Sequence, residues 1–205
     1  MSGGEEGPEL IAWGVAARAL GEEVSGDAHV VRPFPDGILV GVVDGLGHGP
    51  EAATASRLAT GVIEAHAGED VVSLLTRCHR RLQRTRGAAM ALASFRPGGV
   101  MTWVGVGGVD AVLLRADPAA RPRREALLLA GGVVGYELPR VRASMLEVDR
   151  GDTLVVATDG VRPGFAEGVR LGEAPQDAAR AVLDRFRTGT DDALVLVARY
   201  VGGRW

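Results

Sequence analysis

Two hydrophobic periods alternate along the chain, and they separate predicted strands from predicted helices. Short apolar runs bounded by Gly, Pro or Asp predict nine β-strands. These runs are residues 29–34, 37–44, 88–95, 99–106, 110–115, 126–130, 142–148, 152–159 and 193–201. Apolar residues at spacings of three and four predict three helices, at residues 50–67, 71–82 and 175–186. The acidic and polar first ten to twelve residues are expected to be loose.

The order of these elements predicts the fold class. Most predicted strands follow one another through tight turns and do not alternate with helices. This order favours antiparallel sheets with helices packed outside, and it argues against a doubly wound parallel sheet. The sequence therefore predicts an α+β fold in which helices cover two stacked antiparallel sheets. No linker or repeat divides the chain, so residues 1–205 are expected to form a single domain.

Composition and charge exclude some classes of binding partner and indicate the cellular compartment. The net charge of -3 gives no basic footprint for nucleic acid, and no apolar run approaches the roughly 20 residues that span a bilayer. The N-terminus has no secretory signal pattern. The single cysteine, Cys78, falls on the apolar stripe of the second helix, which predicts a buried core residue. One cysteine excludes an internal disulfide and fits a cytoplasmic location.

Aspartates stand at the ends of four predicted strands. Asp44 and Asp159 each end an apolar run, whereas Asp27 and the pair Asp191 and Asp192 each come just before one. Placing a carboxylate at the edge of a core costs several kcal/mol in effective desolvation, and clustered carboxylates repel one another. Hard divalent cations with oxygen ligands, Mg²⁺ or Mn²⁺, would offset both costs. No spacing of His and Cys residues indicates zinc.

The segment "DGLGHG", residues 44–49, is the most specific of these patterns. Gly45 lacks a Cβ, so its backbone can approach an ion and offer its carbonyl. Gly47 and Gly49 allow an open loop with room for a phosphate, and the helix that begins near Pro50 adds its positive dipole end. His48 is a candidate proton donor to a leaving oxygen, and a solvated loop histidine is an equally open interpretation.

Simpler interpretations exist for each position taken alone. Asp-Gly is a common turn dipeptide, so Asp27 or Asp159 by itself is more often a turn residue. Asp191 and Asp192 are also suited to capping a turn. The arginines at 121, 123 and 124 lie in a polar turn, where solvation is the usual role, although they are also suited to docking a phosphoprotein. The case for chemistry therefore depends on the four positions occurring together.

The ordered motifs "SGD", "VVDGLGHG", "GVGGVDAVLLR", "GGVVGYELP", "GDTLVVATDGV" and "TDDALVLVAR" resemble the SpoIIE-type branch of the PP2C (PPM) serine/threonine phosphatases. Within that branch the chain is similar to the short, stand-alone RsbX-like phosphatases of the stressosome pathway. The resemblance extends from about Gly26 to Arg199. It implies a four-layer α-β-β-α sandwich with a two-metal site, holding two Mn²⁺ or Mg²⁺ ions, at one edge.

The resemblance also implies roles for individual residues. Asp44 would bridge both ions, and Gly45 would contribute its carbonyl. Asp27 would help to hold one ion, and Asp159 and Asp191 the other. The family's ligand is the first of the two terminal aspartates, so Asp192 would support the site or remain exposed.

The chain departs from the eukaryotic enzymes of the family at two points. Those enzymes place a histidine directly after their Asp-Gly pair, whereas here Leu46 follows and His48 comes two residues later. They also carry a phosphate-binding arginine upstream of the first acidic motif. Arg18 lies upstream here at a different spacing.

The expected function is hydrolysis of phosphoserine or phosphothreonine on a partner protein by a metal-activated water. The resemblance implies a phosphorylated STAS-domain protein as the substrate, either a stressosome component or an anti-sigma-factor antagonist. The enzyme is expected to be a monomer. Two alternatives remain open. One is an inactive module that binds phosphoproteins, and the other is a metal-dependent hydrolase of small phosphate esters. The retention of four costly carboxylates argues against the inactive module.

Overall fold

Two antiparallel sheets of five strands each form the centre of the molecule, in a computed structural model that describes residues 10–21 and 24–202. The ten strands, in chain order, are β1 Ile11–Arg18, β2 Asp27–Phe34, β3 Gly37–Gly45, β4 Ala88–Arg96, β5 Val100–Val106, β6 Asp110–Leu114, β7 Arg124–Ala126, β8 Ser144–Glu147, β9 Thr153–Ala157 and β10 Ala193–Tyr200. The helices are α1 Pro50–Ala65, α2 Val71–Leu82 and α3 Pro175–Phe186, with a short 3₁₀ helix at Phe165–Gly168.

The strand order pairs distant parts of the chain. One sheet has the order β1-β10-β9-β6-β7, and we call it the terminal sheet because it contains the first and the last strand. The other has the order β2-β3-β4-β5-β8, and we call it the central sheet. All pairs of neighbouring strands in both sheets are antiparallel.

Three apolar layers hold the sandwich together. Side chains from the facing surfaces of the two sheets, such as Val42 and Leu196, form the middle layer. Helices α1 and α2 cover the outer face of the central sheet, where Cys78 is fully buried as predicted. Helix α3 covers the outer face of the terminal sheet. The predicted α+β sandwich of two antiparallel sheets with flanking helices is confirmed.

Two elements differ from the sequence prediction. Residues 11 and 12, expected to be loose, belong to the edge strand β1, whose eight residues all pair with β10. The remainder of the segment expected to be loose, apart from residue 10, lies outside the described residues. The strand predicted at 126–130 is instead Arg124–Ala126, and Ala130, the last residue of the predicted run, forms an isolated bridge to Val106. Within the part of the chain that the structure describes, no helix has the length and apolar character needed to cross a membrane.

Candidate metal centre

Asp27 and Asp44 lie directly opposite each other on neighbouring antiparallel strands. Asp27 is the first residue of β2, and Asp44 is the penultimate residue of β3. Side chains alternate between the faces of a strand, so Asp44 lies on the same face as Val40 and Val42, which contact the terminal sheet. The two carboxylates therefore lie at the edge of the gap between the sheets, with their Cβ atoms about 5 Å apart.

The terminal sheet supplies a contact to this pair. The Thr158 hydroxyl, just after β9, donates a 2.8 Å hydrogen bond to Oδ2 of Asp27. The same hydroxyl oxygen accepts a 2.9 Å hydrogen bond from the backbone N–H of Leu194 in β10. Thr158 thus connects the start of β2 to two strands of the opposite sheet.

Asp159 and Asp191 approach the pair from the terminal sheet. Burial is the main cause that raises the pKa of Asp44 to about 8, and the charges of Asp27, Asp159 and Asp191 raise it further. A hydrogen bond between the side chains of Asp44 and Asp159 also favours a protonated Asp44. The strand register pairs Asp27 with Asp44, and these effects indicate that Asp159 and Asp191 lie near that pair.

The pKa values of Asp27 and Asp159 are raised by related causes. Burial raises the pKa of Asp27 to about 7; the hydrogen bond from Thr158 opposes the shift, and the charges of Asp192, Asp159 and Asp191 add to it. Burial followed by the charge of Asp191 raises the pKa of Asp159. Among the described residues, no arginine or histidine charge offsets these shifts. These carboxyl groups therefore resist ionising together in the absence of a cation.

The two terminal aspartates make different contacts. The Asp192 side chain is buried, and its two oxygens accept hydrogen bonds from the backbone N–H groups of Leu20 and Gly26, at 2.7 and 2.6 Å. Asp191 is half-buried, and its Oδ1 accepts a hydrogen bond from the N–H of Asp192. Asp192 thus fixes the backbone next to Asp27, while Asp191 keeps carboxylate oxygen available for a ligand.

Gly45 permits a close approach between β3 and α1. A Cβ at this position would lie 2.2 Å from the Ala52 carbonyl oxygen and 2.8 Å from Oγ of Ser56. The N–H of Gly45 donates a 3.1 Å hydrogen bond to the carbonyl of Gly26. The absence of a side chain therefore brings the first turns of α1 against the strand ends that carry Asp27 and Asp44.

The donor chemistry of this cluster fits a hard divalent cation. The side-chain ligands are carboxylate oxygens, which Mg²⁺ and Mn²⁺ prefer. These carboxyl groups are partly buried and repel one another, so a bound cation would stabilise them. As they stand in the described residues, no three His, Cys, Asp or Glu side chains have the geometry of a completed metal site. Side-chain adjustment around the ion would therefore be needed, as expected for carboxylates whose charges repel in its absence.

His48 and Arg18 do not touch the carboxylates. His48 is exposed in the loop between β3 and α1, and its side chain makes no hydrogen bond or ion pair with a described residue. Its role as a proton donor stays a prediction. Arg18 is exposed at the end of β1, where its guanidinium contacts the carbonyl of Ala17 at 3.3 Å. Nothing in these contacts assigns Arg18 to the site.

A guanidinium that no sequence motif indicated lies beside residues 45–49, which we call the glycine loop. Arg86 forms an ion pair with Glu51 in the first turn of α1. Its Nη1 lies 3.0 Å from the position that a Cβ on Gly47 would occupy, and Gly47 has a φ of 81° that favours glycine. Arg86 lies outside the aspartate motifs, and Thr158, although it precedes Asp159, contacts Asp27, 131 residues away. No local pattern could therefore have indicated these contacts.

Most of the chain is similar in sequence to known proteins. The sequence profile of the family Stage II sporulation protein E (SpoIIE) matches residues 35–201. The phosphoserine phosphatase RsbX of Bacillus subtilis (strain 168) is 23% identical over 181 residues, which cover 86% of this chain and 87% of RsbX.

Solved structures share the fold. A chain from a structure of the bacterial stressosome, described as a modular system adapted to control secondary messenger signalling, has a TM-score of 0.85 at 29% identity; the match covers 93% of this chain and all of that one. RsbX in complex with magnesium has a TM-score of 0.83 at 20% identity, with coverage of 95% and 98%. The PP2C phosphatase domain of SpoIIE from Bacillus subtilis has a TM-score of 0.72 at 20% identity, with coverage of 94% and 64%.

Proposed function

The chain belongs to the SpoIIE family, and from this premise we propose that it is a metal-dependent serine/threonine phosphatase that acts on a phosphorylated regulatory protein. The observation that carries the proposal is the meeting of Asp27, Asp44, Asp159 and Asp191 at one edge of the sandwich. Burial and mutual repulsion raise the pKa values of Asp27, Asp44 and Asp159, and no cation among the described residues neutralises the group. Keeping buried carboxyl groups together lowers the stability of the fold. Their retention therefore indicates a function.

Asp44 has the central place in the proposed metal site. It lies opposite Asp27, and its carboxyl group contacts that of Asp159, so it would touch ions held from either sheet. Asp27 would bind on one side, Asp159 and Asp191 on the other, and the Gly45 carbonyl would complete the set. When bound, two Mn²⁺ or Mg²⁺ ions would lower the pKa of a water nucleophile and neutralise charge on the phosphoryl group. The structure of RsbX with magnesium supports this class of ion.

The side chains around the carboxylates would position the substrate. The Arg86 guanidinium lies over Gly47, where it would hold the phosphate oxygens by charge-assisted hydrogen bonds. Its exposure allows an incoming phosphate to replace or share the contact with Glu51. His48 in the same loop would deliver a proton to the departing serine or threonine oxygen. No covalent step on this chain is required.

The proposed substrate is a phosphorylated STAS-domain protein of a stressosome or anti-sigma-factor pathway. The phosphoserine phosphatase RsbX and the stressosome structure, each similar to nearly the whole chain, support a phosphoprotein of this kind. We expect the enzyme to act as a monomer in the cytoplasm. Burial raises the pKa of the Cys78 thiol to about 12, so this cysteine is suited to the core and not to catalysis.

A substrate panel tests the proposal. The purified chain is assayed with p-nitrophenyl phosphate, a phosphoserine peptide and a nucleoside monophosphate, each with Mn²⁺, with Mg²⁺ and with EDTA. We expect metal-dependent release of phosphate from the peptide, and its loss in Asp44→Asn with the fold intact by circular dichroism. Absence of all activity in the parent chain with Mn²⁺ would instead support the inactive binding module. Preference for the nucleotide would support a small-ester hydrolase.

A further inference from the structure

A long segment of this acidic chain carries only positive charge. Residues 71–109 contain six arginines and no aspartate or glutamate, although the whole chain has a net charge of -3. Five of the six arginines lie between residues 77 and 86, in the second half of α2 and the turn after it. This distribution concentrates positive charge on one helix.

Three of the five arginines between residues 77 and 86 have no acidic partner among the described residues. Arg77 pairs with Glu69 at 2.7 Å, and Arg86 pairs with Glu51. Arg80, Arg81 and Arg84 are exposed and form no ion pair in the described part of the chain. We call these three residues the arginine surface. One basic residue in the last turn would complement the α2 dipole, so the number of arginines here needs another explanation.

The C-terminal end of α2 lies beside the glycine loop. Helices α1 and α2 run antiparallel, as the contact between Cys78 Sγ and the Ala59 carbonyl and the ion pair between Arg86 and Glu51 indicate. Directly after Arg86, the carbonyl of Gly87 accepts a 3.1 Å hydrogen bond from the N–H of Leu46 in the glycine loop. Arg84 is therefore two residues from Arg86 at the glycine loop, whereas Arg80 and Arg81 lie farther along α2, in a groove with Val62 and His66 of α1.

Resting on the proposed function, we propose that the arginine surface docks acidic side chains of the phosphoprotein substrate and so selects phosphosites beside carboxylates. Guanidinium groups bind carboxylates with paired hydrogen bonds, and exposed charges of one sign accelerate encounter with a partner of the opposite sign. The whole chain has a net charge of -3, so a helix end that carries only positive charge is suited to an acidic partner. Arg86 would then receive the phosphate where the surface meets the site.

Two phosphoserine peptides of equal length test this proposal, one flanked by Asp and Glu and the other by Asn and Gln. The variant Arg80→Glu/Arg81→Glu/Arg84→Glu reverses the surface. Its matched control, Arg142→Glu/Arg150→Glu/Arg187→Glu, makes the same charge change at exposed arginines that form no ion pair within the described residues. For each protein, kcat/KM is measured for both peptides and for p-nitrophenyl phosphate with Mn²⁺, at low and at high salt.

We expect the parent chain to prefer the acidic peptide by about tenfold at low salt, and the preference to disappear at high salt. The surface reversal should abolish the preference and leave kcat/KM for p-nitrophenyl phosphate within about twofold of the parent value. The control variant should keep the preference. Equal kcat/KM for the two peptides in the parent chain would overturn the proposal, as would loss of the preference in the control.

Binding separates this proposal from the proposed function. Fluorescence anisotropy with the unphosphorylated acidic peptide requires no catalysis, and we expect binding to the parent chain that the surface reversal abolishes. If the parent chain binds this peptide and hydrolyses nothing, the phosphatase function fails while the docking surface stands. Tighter binding of a single-stranded oligonucleotide of equal charge at the same salt would assign the surface to nucleic acid and overturn the proposal.

Discussion

The hydroxyl of Thr158 donates a hydrogen bond of 2.8 Å to the carboxylate of Asp27, across the gap between the two sheets. The same oxygen accepts a hydrogen bond from the N–H of Leu194. A single side chain therefore fixes the orientation of one proposed metal ligand and satisfies a buried backbone group of the opposite sheet. Removing it should affect metal binding and stability together.

The variant Thr158→Val keeps the volume and removes the hydroxyl. Because the Leu194 N–H loses its partner, we expect the free energy of unfolding to fall by about 1–3 kcal/mol, measured by urea denaturation. The Mn²⁺ concentration needed for half-maximal hydrolysis should rise, since Asp27 is no longer held in place. Thr158→Ser keeps the hydroxyl and should resemble the parent in both measurements. Unchanged metal dependence in the valine variant would contradict the orienting role.

Asp44 should destabilise the ion-free protein. A carboxyl group whose folded pKa, about 8, is far above its unfolded value lowers stability as pH rises from about 4 to 8, because the unfolded state releases its proton first. Asp44→Asn removes this penalty and one repelling charge. At pH 8 in EDTA we expect the variant to melt a few degrees above the parent, on the order of 2–5 °C, and at pH 5 the difference should shrink.

The metal response of the same variant should have the opposite sign. Mn²⁺ should raise the melting temperature of the parent, since an ion that binds the folded state stabilises it, and should raise that of Asp44→Asn much less. Asp184→Asn, at an exposed position on α3, is the control and should follow the parent at each pH. An Asp44→Asn variant that melts below the parent at pH 8 in EDTA would show that the carboxylate stabilises the fold.

Substitutions of the neighbours Asp191 and Asp192 should have different effects, because we expect Asp191 to bind the metal and Asp192 to stabilise the fold. In Asp192→Asn, an amide NH₂ replaces one of two oxygens that accept backbone N–H groups, so we expect a loss of about 1–3 kcal/mol in the free energy of unfolding. Asp191→Asn should change stability by less than about 0.5 kcal/mol and should weaken Mn²⁺ binding measured by calorimetry. The reverse result would assign the ligand role to Asp192.

Periodicity predicted most of the fold because most strands and helices bury one face against a large core. Strand β1 was missed because it is rich in alanine and glycine and lies at a sheet edge. Gly14 permits α3 to pack on it, with Cα of Gln176 2.3 Å from where a Cβ would lie. Strand β7 was misplaced because the apolar run "ALLLA" continues past the edge of the sheet, and Leu128 in it is 87% exposed.

The acidic residues of the site were predictable because each one stands where a strand begins or ends. Their proximity follows from the strand register, which pairs Asp27 with Asp44. The residues that surround them were not predictable in this way. Thr158 and Arg86 act through contacts with residues far away in sequence, and such contacts depend on how the two sheets and α1 are packed.

Arg86 should contribute to substrate binding more than to metal binding. We expect Arg86→Ala to raise KM for p-nitrophenyl phosphate by about tenfold, since a charge-assisted hydrogen bond to phosphate contributes roughly 1.5–3 kcal/mol, and to leave Mn²⁺ affinity unchanged. Arg86→Lys keeps the charge and should recover part of the loss. Weaker inhibition by inorganic phosphate should accompany the higher KM. An unchanged KM together with a lower Mn²⁺ affinity would contradict this assignment.

Gly45 and Gly61 should respond to a methyl group in opposite directions. Helix α1 packs against Gly45, whereas Gly61 lies on the exposed side of α1. A Cβ at Gly45 would lie 2.2 Å from the Ala52 carbonyl oxygen, so Gly45→Ala must push α1 away from β3. We expect the free energy of unfolding to fall by about 1–3 kcal/mol, together with a loss of hydrolysis, because the same shift displaces the glycine loop. Gly61 lies in the exposed middle of α1 with no atom within 4 Å of its would-be Cβ. Gly61→Ala should therefore stabilise the fold by about 0.5–1 kcal/mol in urea denaturation, and a Gly45→Ala variant as stable as the parent would refute the close packing of α1 against this strand end.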